Sequence, residues 1–280
     1  VNQIKVAKQH GKLVAVGGPY PTSVPAEAQK AGADFLILDE GEITLPMFVE
    51  EVKAGKTGGV FRATEKQDVT ATPITLFEVL ERQEYDMLSV QFSLGRALQC
   101  EFCDIIVLYG RKPRTKSPAQ LLAELDCLYE LGWRGGVFMV DDNFIGNKRN
   151  VKLLLNELKV WMREHEYPFR FDTEASVDLA QDRELMELMV ECGFAAVFLG
   201  IETPDEDSLQ LTKKFQNTRN SLVESVQSII KSGLRPMAGL LIGFDGDTAG
   251  PGNRIVSFAV QSAIPSTPFA MFQAFPNTSF

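Results

Sequence analysis

The chain predicts an α/β protein, a partial (β/α)6 barrel of parallel strands preceded by part of a second α/β unit. Three observations carry this. From residue 87 onward an apolar strand, a polar loop and an amphipathic helix recur with a period in the thirties. A polar or acidic group closes nearly every strand at its C-terminal end, where parallel barrels gather their chemistry. Residues 1 to about 80 follow a different α/β pattern and run into a stretch rich in Thr and Pro.

The strands predicted are 87–92, 136–141, 168–172, 195–201, 235–243 and 268–273. Between the first two, Ser117 and Pro118 supply an N-cap and a first-turn proline. Leu121, Leu125 and Leu128 share one face of the helix, and Gly132 closes it. Further helices are predicted at about 147–165, 181–192, 219–232 and 252–263. The strand ends read Cys100 and Cys103, then Asp141-Asp142-Asn143, Asp172-Thr173-Glu174, Gly200-Ile201-Glu202 and Gly243-Phe244-Asp245-Gly246-Asp247. A carboxylate after a strand is also a common helix N-cap, and for Asp142 and Asp245 that reading weighs equally with function. Glu174 and Glu202 stand in the strand register and need cap nothing.

The domain boundaries expected are 1–63 for the N-terminal unit, 64–83 for a linker and 84–280 for the barrel. In the first unit, Leu13–Val16 runs into Gly17-Gly18-Pro19-Tyr20-Pro21-Thr22-Ser23, and Asp34–Leu38 into Asp39-Glu40-Gly41-Glu42. Paired glycines after a strand let backbone approach a ligand closely, although alone they are a weak signal. A chain that opens on Val1 and stops at Phe280 just after a strand is expected to be a fragment.

With a net charge of −9, the 280 residues argue against a nucleic-acid partner, which needs a basic surface. Arg111, Lys112, Arg114 and Lys116 form one basic cluster, expected to be a solvated loop. Four cysteines are too few for a disulfide scaffold, and two are spaced for metal, so a reducing, cytoplasmic setting is expected. No apolar run is long enough for a transmembrane segment, and no signal-peptide core opens the chain.

The segment Gly95-Arg96-Ala97-Leu98-Gln99-Cys100-Glu101-Phe102-Cys103 carries the most specific signal. Two thiolates at this spacing can hold zinc, form a redox disulfide or bind part of an iron–sulfur cluster. Zinc needs further ligands, and His10 and His165 are neither paired nor adjacent. A thioredoxin-like pair belongs at a helix start in a small fold. A cluster site remains.

Here the chain resembles the radical S-adenosylmethionine (radical SAM) enzymes, in the branch with an N-terminal cobalamin-binding domain. The resemblance implies a TIM-like radical SAM barrel behind the C-terminal part of a Rossmann-like cobalamin-binding domain. The family loop is Cys-x3-Cys-x2-Cys, matched by Arg96, Cys100 and Cys103, so Cys100 and Cys103 are the implied metal ligands of a 4Fe-4S cluster. The resemblance further assigns Phe102, Asp141, Asp142, Glu174, Gly200 and Glu202 to S-adenosyl-L-methionine. It assigns Gly17, Gly18, Pro19, Thr22, Gly41 and Glu42 to cobalamin. It implies a methyltransferase acting on an unactivated carbon, served by an electron donor such as a flavodoxin or ferredoxin. Phe144, Phe269, Phe272 and Phe275 suggest an apolar mouth for a small-molecule or lipid-like substrate.

Arg96 departs from that pattern, because a guanidinium stays protonated and cannot ligate iron. Cys127 and Cys192 are poorly placed substitutes. A catalytically silent relative that binds only cofactor, a labile cluster with an outside ligand, and a compensated frame shift in the coding DNA each account for Arg96. A barrel hydrolase holding a divalent metal on Asp141, Asp142, Glu174 and Glu202 is the alternative from another class.

Overall fold

The computed structural model describes residues 1–97, 102–247, 250–273 and 275–278. The predicted ligand Cys100 lies outside them.

The N-terminal unit contains β1 (Ala15–Gly17), β2 (Phe35–Ile37) and β3 (Gly59–Phe61), paired in parallel in the order β1-β2-β3. Ile4, Ala28, Leu36 and Leu38 form its small core. A helix at Asn2–Gln9, which the sequence reading did not anticipate, precedes β1.

The larger unit is built on β4 (Met87–Val90), then β5 (Ser93–Leu94) and β6 (Arg114–Thr115). After these come β7 (Gly136–Met139), β8 (Arg170–Ala175), β9 (Phe194–Glu202), β10 (Arg235–Ile242) and β11 (Phe269–Met271). Among the described residues, six strands form one parallel sheet in the order β11-β10-β9-β8-β7-β4. Each neighbour is the next barrel strand in sequence, the order that right-handed βα connections produce. Helices Pro118–Glu130, Lys148–Glu164, Arg183–Glu191, Leu222–Lys231 and Pro251–Ser262 fall within three residues of the predicted bounds. Ser117, Asn147, Asp182 and Ser221 cap four of them, each accepting an N–H from the first turn.

The core lies between these helices and the convex side of the sheet. Leu121, Leu125 and Leu128 are fully buried there, as are Val151, Leu154, Leu155 and Leu158 on the next helix. Along β8, Phe171, Thr173 and Ala175 are buried, while Asp172 and Glu174 on the other side are only partly covered. On β9, Phe198, Gly200 and Glu202 share that less covered side. The period-2 alternation of strands therefore sends apolar groups to the helices and carboxylates to the concave interior.

Several expectations are corrected. β8 runs to Ala175 rather than 172, so Glu174 lies inside the strand. The basic cluster is not wholly solvated. Arg111 and Lys112 are exposed, but Arg114 pairs with Glu40, and Lys116 is buried against Glu124. The expected linker, 64–83, also makes contacts of its own: Phe77 joins the barrel core, and the Gln120 side-chain amide donates to the carbonyls of Val69 and Thr72, which leaves its reading as a linker in place. Phe144 belongs to the core, with its ring near Phe92 and Phe194, whereas Phe269 and Phe275 are exposed. No described helix is long and apolar enough to cross a membrane.

Candidate functional site

The cysteine-bearing loop leaves the barrel through a base the sequence did not reveal. β5 and β6 pair antiparallel, Ser93 with Thr115 and Leu94 with Arg114, and pin both ends of residues 95–113. Gly95 adopts φ +93°, and an added Cβ would meet the carbonyl oxygens of Gly110, Tyr109 and Lys112 at 3.1–3.2 Å. Only glycine suits this turn. The Arg96 N–H then donates to the Gly110 carbonyl at 3.2 Å.

Asp141 supports the same base. Its carboxylate is fully buried and accepts N–H bonds from Phe92, at 3.1 Å, and from Ser93. Burial pushes its pKa from 3.8 up to about 6 against the pull of those amides. Asp142 follows on the other side of the chain and accepts the Gly95 N–H. Neither Asp142 nor Asp245 caps a helix: Asn143 and Asn147 occupy the cap positions after β7, and Gly250 that before Pro251–Ser262.

Three carboxylates and one guanidinium converge at the open end of the sheet. Asp142 and Glu174 are both raised by burial, and Arg96 is close enough to pull each back down. Asp142 and Glu202 in turn raise Glu174. The Nε of Arg96 and the Oδ2 of Asp142 are buried without a hydrogen-bond partner.

Glu202 ends β9 at φ +67° and pairs with Lys214, which is 2% exposed. The pair crosses Gly200, where a Cβ would stand 2.6 Å from the Glu202 carboxylate and 2.9 Å from the Lys214 ammonium. Asn217 donates its side-chain N–H groups to the carbonyls of Gly200 and Ile201 at 3.1 and 2.9 Å. The Lys214 ammonium lies 5.8 Å from the centre of the Phe102 ring. Phe102 meets Phe272 and Phe244 edge-on at 5.3 and 6.4 Å.

The loops of the N-terminal unit meet the barrel here. Gly18, Pro19, Thr22, Gly41 and Glu42 line a cleft of about 450 Å³ together with Gln91, Tyr109, Val140 and Asp142 of the barrel. Thr22 ties its two loops together, donating to the Gly18 carbonyl at 2.8 Å and accepting the Asp39 N–H at 2.9 Å. Gly17 sits behind them in β1, against the Ile37 carbonyl. A forked pair fixes the floor: Arg114 donates to both oxygens of Glu40 at 2.7 and 2.8 Å, and Glu40 also accepts the Gln67 N–H.

Sequence reasoning missed Lys214, Asn217 and Tyr109, and it read Arg114 as a solvated cation rather than the partner of Glu40. Lys214 and Asn217 follow a short helix after β9 rather than a strand end, and no spacing marks them.

The loop's cysteines do not complete a three-thiolate set for a cluster. Cys103 is partly buried beside Phe102, Cys100 lies outside the described residues, and the third position holds a cation. Cys192 cannot substitute, since its thiol is buried, donates to the Leu155 carbonyl at 3.1 Å and is pushed up to about 12. Among the described residues no three His, Cys, Asp or Glu side chains converge as metal ligands, and Asp141 is committed to backbone amides. The carboxylates of the hydrolase alternative therefore form no metal-ligand group among the described residues.

Residues 92–259 match the Radical SAM superfamily. An uncharacterised methyltransferase of Synechocystis sp. is 74% identical over 279 residues, covering 100% of this chain and 52% of the relative. The hopanoid C-2 methylase of Rhodopseudomonas palustris is 37% identical over 269 residues, covering 95% and 51%. The chain thus spans about half the length of these relatives. Among solved structures, the radical S-adenosylmethionine methyltransferase TsrM of Kitasatospora setae, with tryptophan and a SAM analogue bound, superposes with a TM-score of 0.79 at 17% identity. The match covers 99% of this chain and 59% of that one. OxsB, a cobalamin-dependent S-adenosylmethionine radical enzyme, gives 0.71 at 17% identity, covering 92% and 41%. The half-barrel and the family match agree: this chain belongs to the radical SAM superfamily.

Proposed function

We propose that the chain is the cofactor-binding core of a cobalamin-dependent radical SAM methyltransferase, acting on an unactivated carbon of a small-molecule or lipid-like substrate. The observation that carries this reading is the shared cleft, where the Gly18–Thr22 and Gly41–Glu42 loops face Asp142 across one space. Those loops would hold a corrin beside Asp142, and a bound corrin would supply the methyl-transfer chemistry there. The relatives agree in kind, since one is named a hopanoid methylase and a structural neighbour binds cobalamin.

In this reading residues 1–63 and 84–280 are the two units, joined by 64–83. Phe102, Asp141, Asp142, Glu174, Gly200 and Glu202 position S-adenosyl-L-methionine. Gly17, Gly18, Pro19, Thr22, Gly41 and Glu42 position cobalamin. A bound cluster would supply the electron that cleaves the sulfonium, delivered by a donor such as a flavodoxin or ferredoxin. This chain's residues bind, orient and exclude water. Arg96 favours a second reading, a relative that binds its cofactors without catalysis.

Anaerobic reconstitution with iron and sulfide separates the two. Iron content and S-adenosylmethionine cleavage are expected to be low in the native chain and to rise sharply in Arg96→Cys. Cofactor binding with no cleavage in either form supports the non-catalytic reading. Failure of both proteins to bind hydroxocobalamin would remove the first reading.

A further inference from the structure

Beside the cleft that faces the N-terminal loops lies a smaller cavity of about 190 Å³, walled by β4 and β5, by residues 67–75 and by helix Pro118–Glu130. It shares Glu42, Gln91, Leu94 and Val140 with the larger cleft, so it is a side pouch of the same space. Two charged side chains line it: Lys116 is 9% exposed and Glu124 is fully buried. Lys116 donates to Oε1 of Glu124, while the other carboxylate oxygen, Oε2, is buried without a hydrogen-bond partner. The backbone fixes both groups, since the Lys116 N–H donates to the Phe92 carbonyl at 2.8 Å and Glu124 stands on the helix that Ser117 caps. Buried polar atoms are normally paired, so a lone acceptor on a cavity-lining residue marks where a ligand group fits. An ammonium carries three N–H groups, and a carboxylate oxygen only accepts. Side by side they offer a donor and an acceptor, the complement of a primary amide, whose oxygen accepts and whose nitrogen donates. A carboxylate of the same size has no hydrogen for Oε2 and sets a second negative charge against it.

We propose that this pouch receives one propionamide arm of a corrin, with Lys116 donating to its oxygen and Glu124 accepting from its nitrogen. The pair thereby selects a fully amidated corrin over one that carries a carboxylate on that arm. The inference rests on the reading of the cleft as a cobalamin site and adds a specificity-determining pair that the two glycine-bearing loops do not contain. A corrin carries its amides on flexible arms around the rim, and a cavity of this size admits one arm but not the ring. The pair stands on the barrel and the loops on the N-terminal unit, so each unit holds the cofactor through contacts of its own.

The test uses equilibrium dialysis of the whole chain, read by corrin absorbance. Mild acid hydrolysis of cobalamin gives separable monocarboxylic acids, each with a different propionamide turned into a carboxylate. The probes are hydroxocobalamin and these acids in the same hydroxo form. One acid is expected to bind about ten- to a hundredfold more weakly than hydroxocobalamin, the size of a buried hydrogen bond lost with an acceptor left facing a like charge. The other acids are expected to bind as hydroxocobalamin does. Glu124→Gln should bring the rejected acid level with the others, because a side-chain amide can donate to it, while hydroxocobalamin binding reports an intact fold. Ser89→Leu fills the pouch from an exposed position on β4 and decides where Glu124→Gln does not fold. It should weaken hydroxocobalamin and erase the difference among the acids. Acids that all bind like hydroxocobalamin overturn the proposal and leave the pouch to water, with the cobalamin reading intact. Equal weakening of every acid overturns it as an effect of overall charge. A difference that survives either variant places the selection elsewhere and overturns it as well. If hydroxocobalamin itself does not bind, the cobalamin reading and the pouch fall together.

Discussion

The Lys214 ammonium closes on the Glu202 carboxylate over the bare backbone of Gly200, with 2% of Lys214 and 14% of the Glu202 side chain exposed. Two strand-end features read separately from the sequence, a glycine and a glutamate, are thereby one device. Glu202 is aimed into the barrel mouth by a cation that the sequence did not single out.

Removing that cation leaves a largely buried, uncompensated carboxylate. Lys214→Met is expected to lower unfolding free energy by about 3–5 kcal/mol, measured by urea denaturation. Gly200→Ala is expected to cost about 1–3 kcal/mol by forcing the pair apart. A Lys214→Met protein as stable as the native chain would show that the pair does not hold Glu202.

Asp141 makes stability pH-dependent. Its folded pKa is raised from 3.8 to about 6, so between those values the folded state binds the proton that the unfolded state releases. Stability from this group is fully present below about pH 4 and is lost as pH rises through about 6. At about 1.4 kcal/mol per tenfold, the loss is roughly 3 kcal/mol. The stability difference between the native chain and Asp141→Asn should therefore move against the native chain from pH 4 to pH 7. A constant difference across that range contradicts the burial argument.

The Glu40–Arg114 fork joins the N-terminal unit to the barrel and braces residue 67 through its backbone. Arg114→Leu leaves Glu40, which is 4% exposed, with only the Gln67 N–H and Lys66 at 3.8 Å, and should destabilise by about 3 kcal/mol. Limited proteolysis should then cut within residues 64–83 well before it cuts the native chain. Unchanged cleavage rates would assign the fork no role in the junction.

Thr22 bonds both loops of the cleft, so Thr22→Val should loosen them at little expense to the fold. Two lost hydrogen bonds predict hydroxocobalamin binding weaker by about tenfold, with unaltered far-UV circular dichroism. Equal affinity would place the corrin elsewhere.

Cys192 and Cys103 should differ in kind. In the Arg96→Cys background, Cys192→Ala is expected to leave iron uptake on reconstitution unchanged, because that thiol is buried against Leu155, whereas Cys103→Ala should abolish the gain. Iron analysis of the two variants decides.

The sequence by itself determined the repeating strand and helix units, their order, the buried face of the first barrel helix and the polar strand ends. These are written in local periodicity: Leu121, Leu125 and Leu128 share one side of a helix whatever lies beyond it, and Ser117 caps the turn that follows it. It also exposed Arg96, since a motif shows its own gap. The tertiary structure alone decided what those side chains do. Asp141 and Asp142 are adjacent in the chain, yet one is buried under the amides of Phe92 and Ser93 and the other faces the cleft, because successive residues leave a strand in opposite directions. Arg114 reads as one of four solvated cations until the fold brings Glu40, 74 residues away, against it. Lys214 carries no periodic signature and acquires meaning only where its ammonium meets Glu202. Charge and orientation at a site depend on partners distant in sequence, and local pattern holds no record of them.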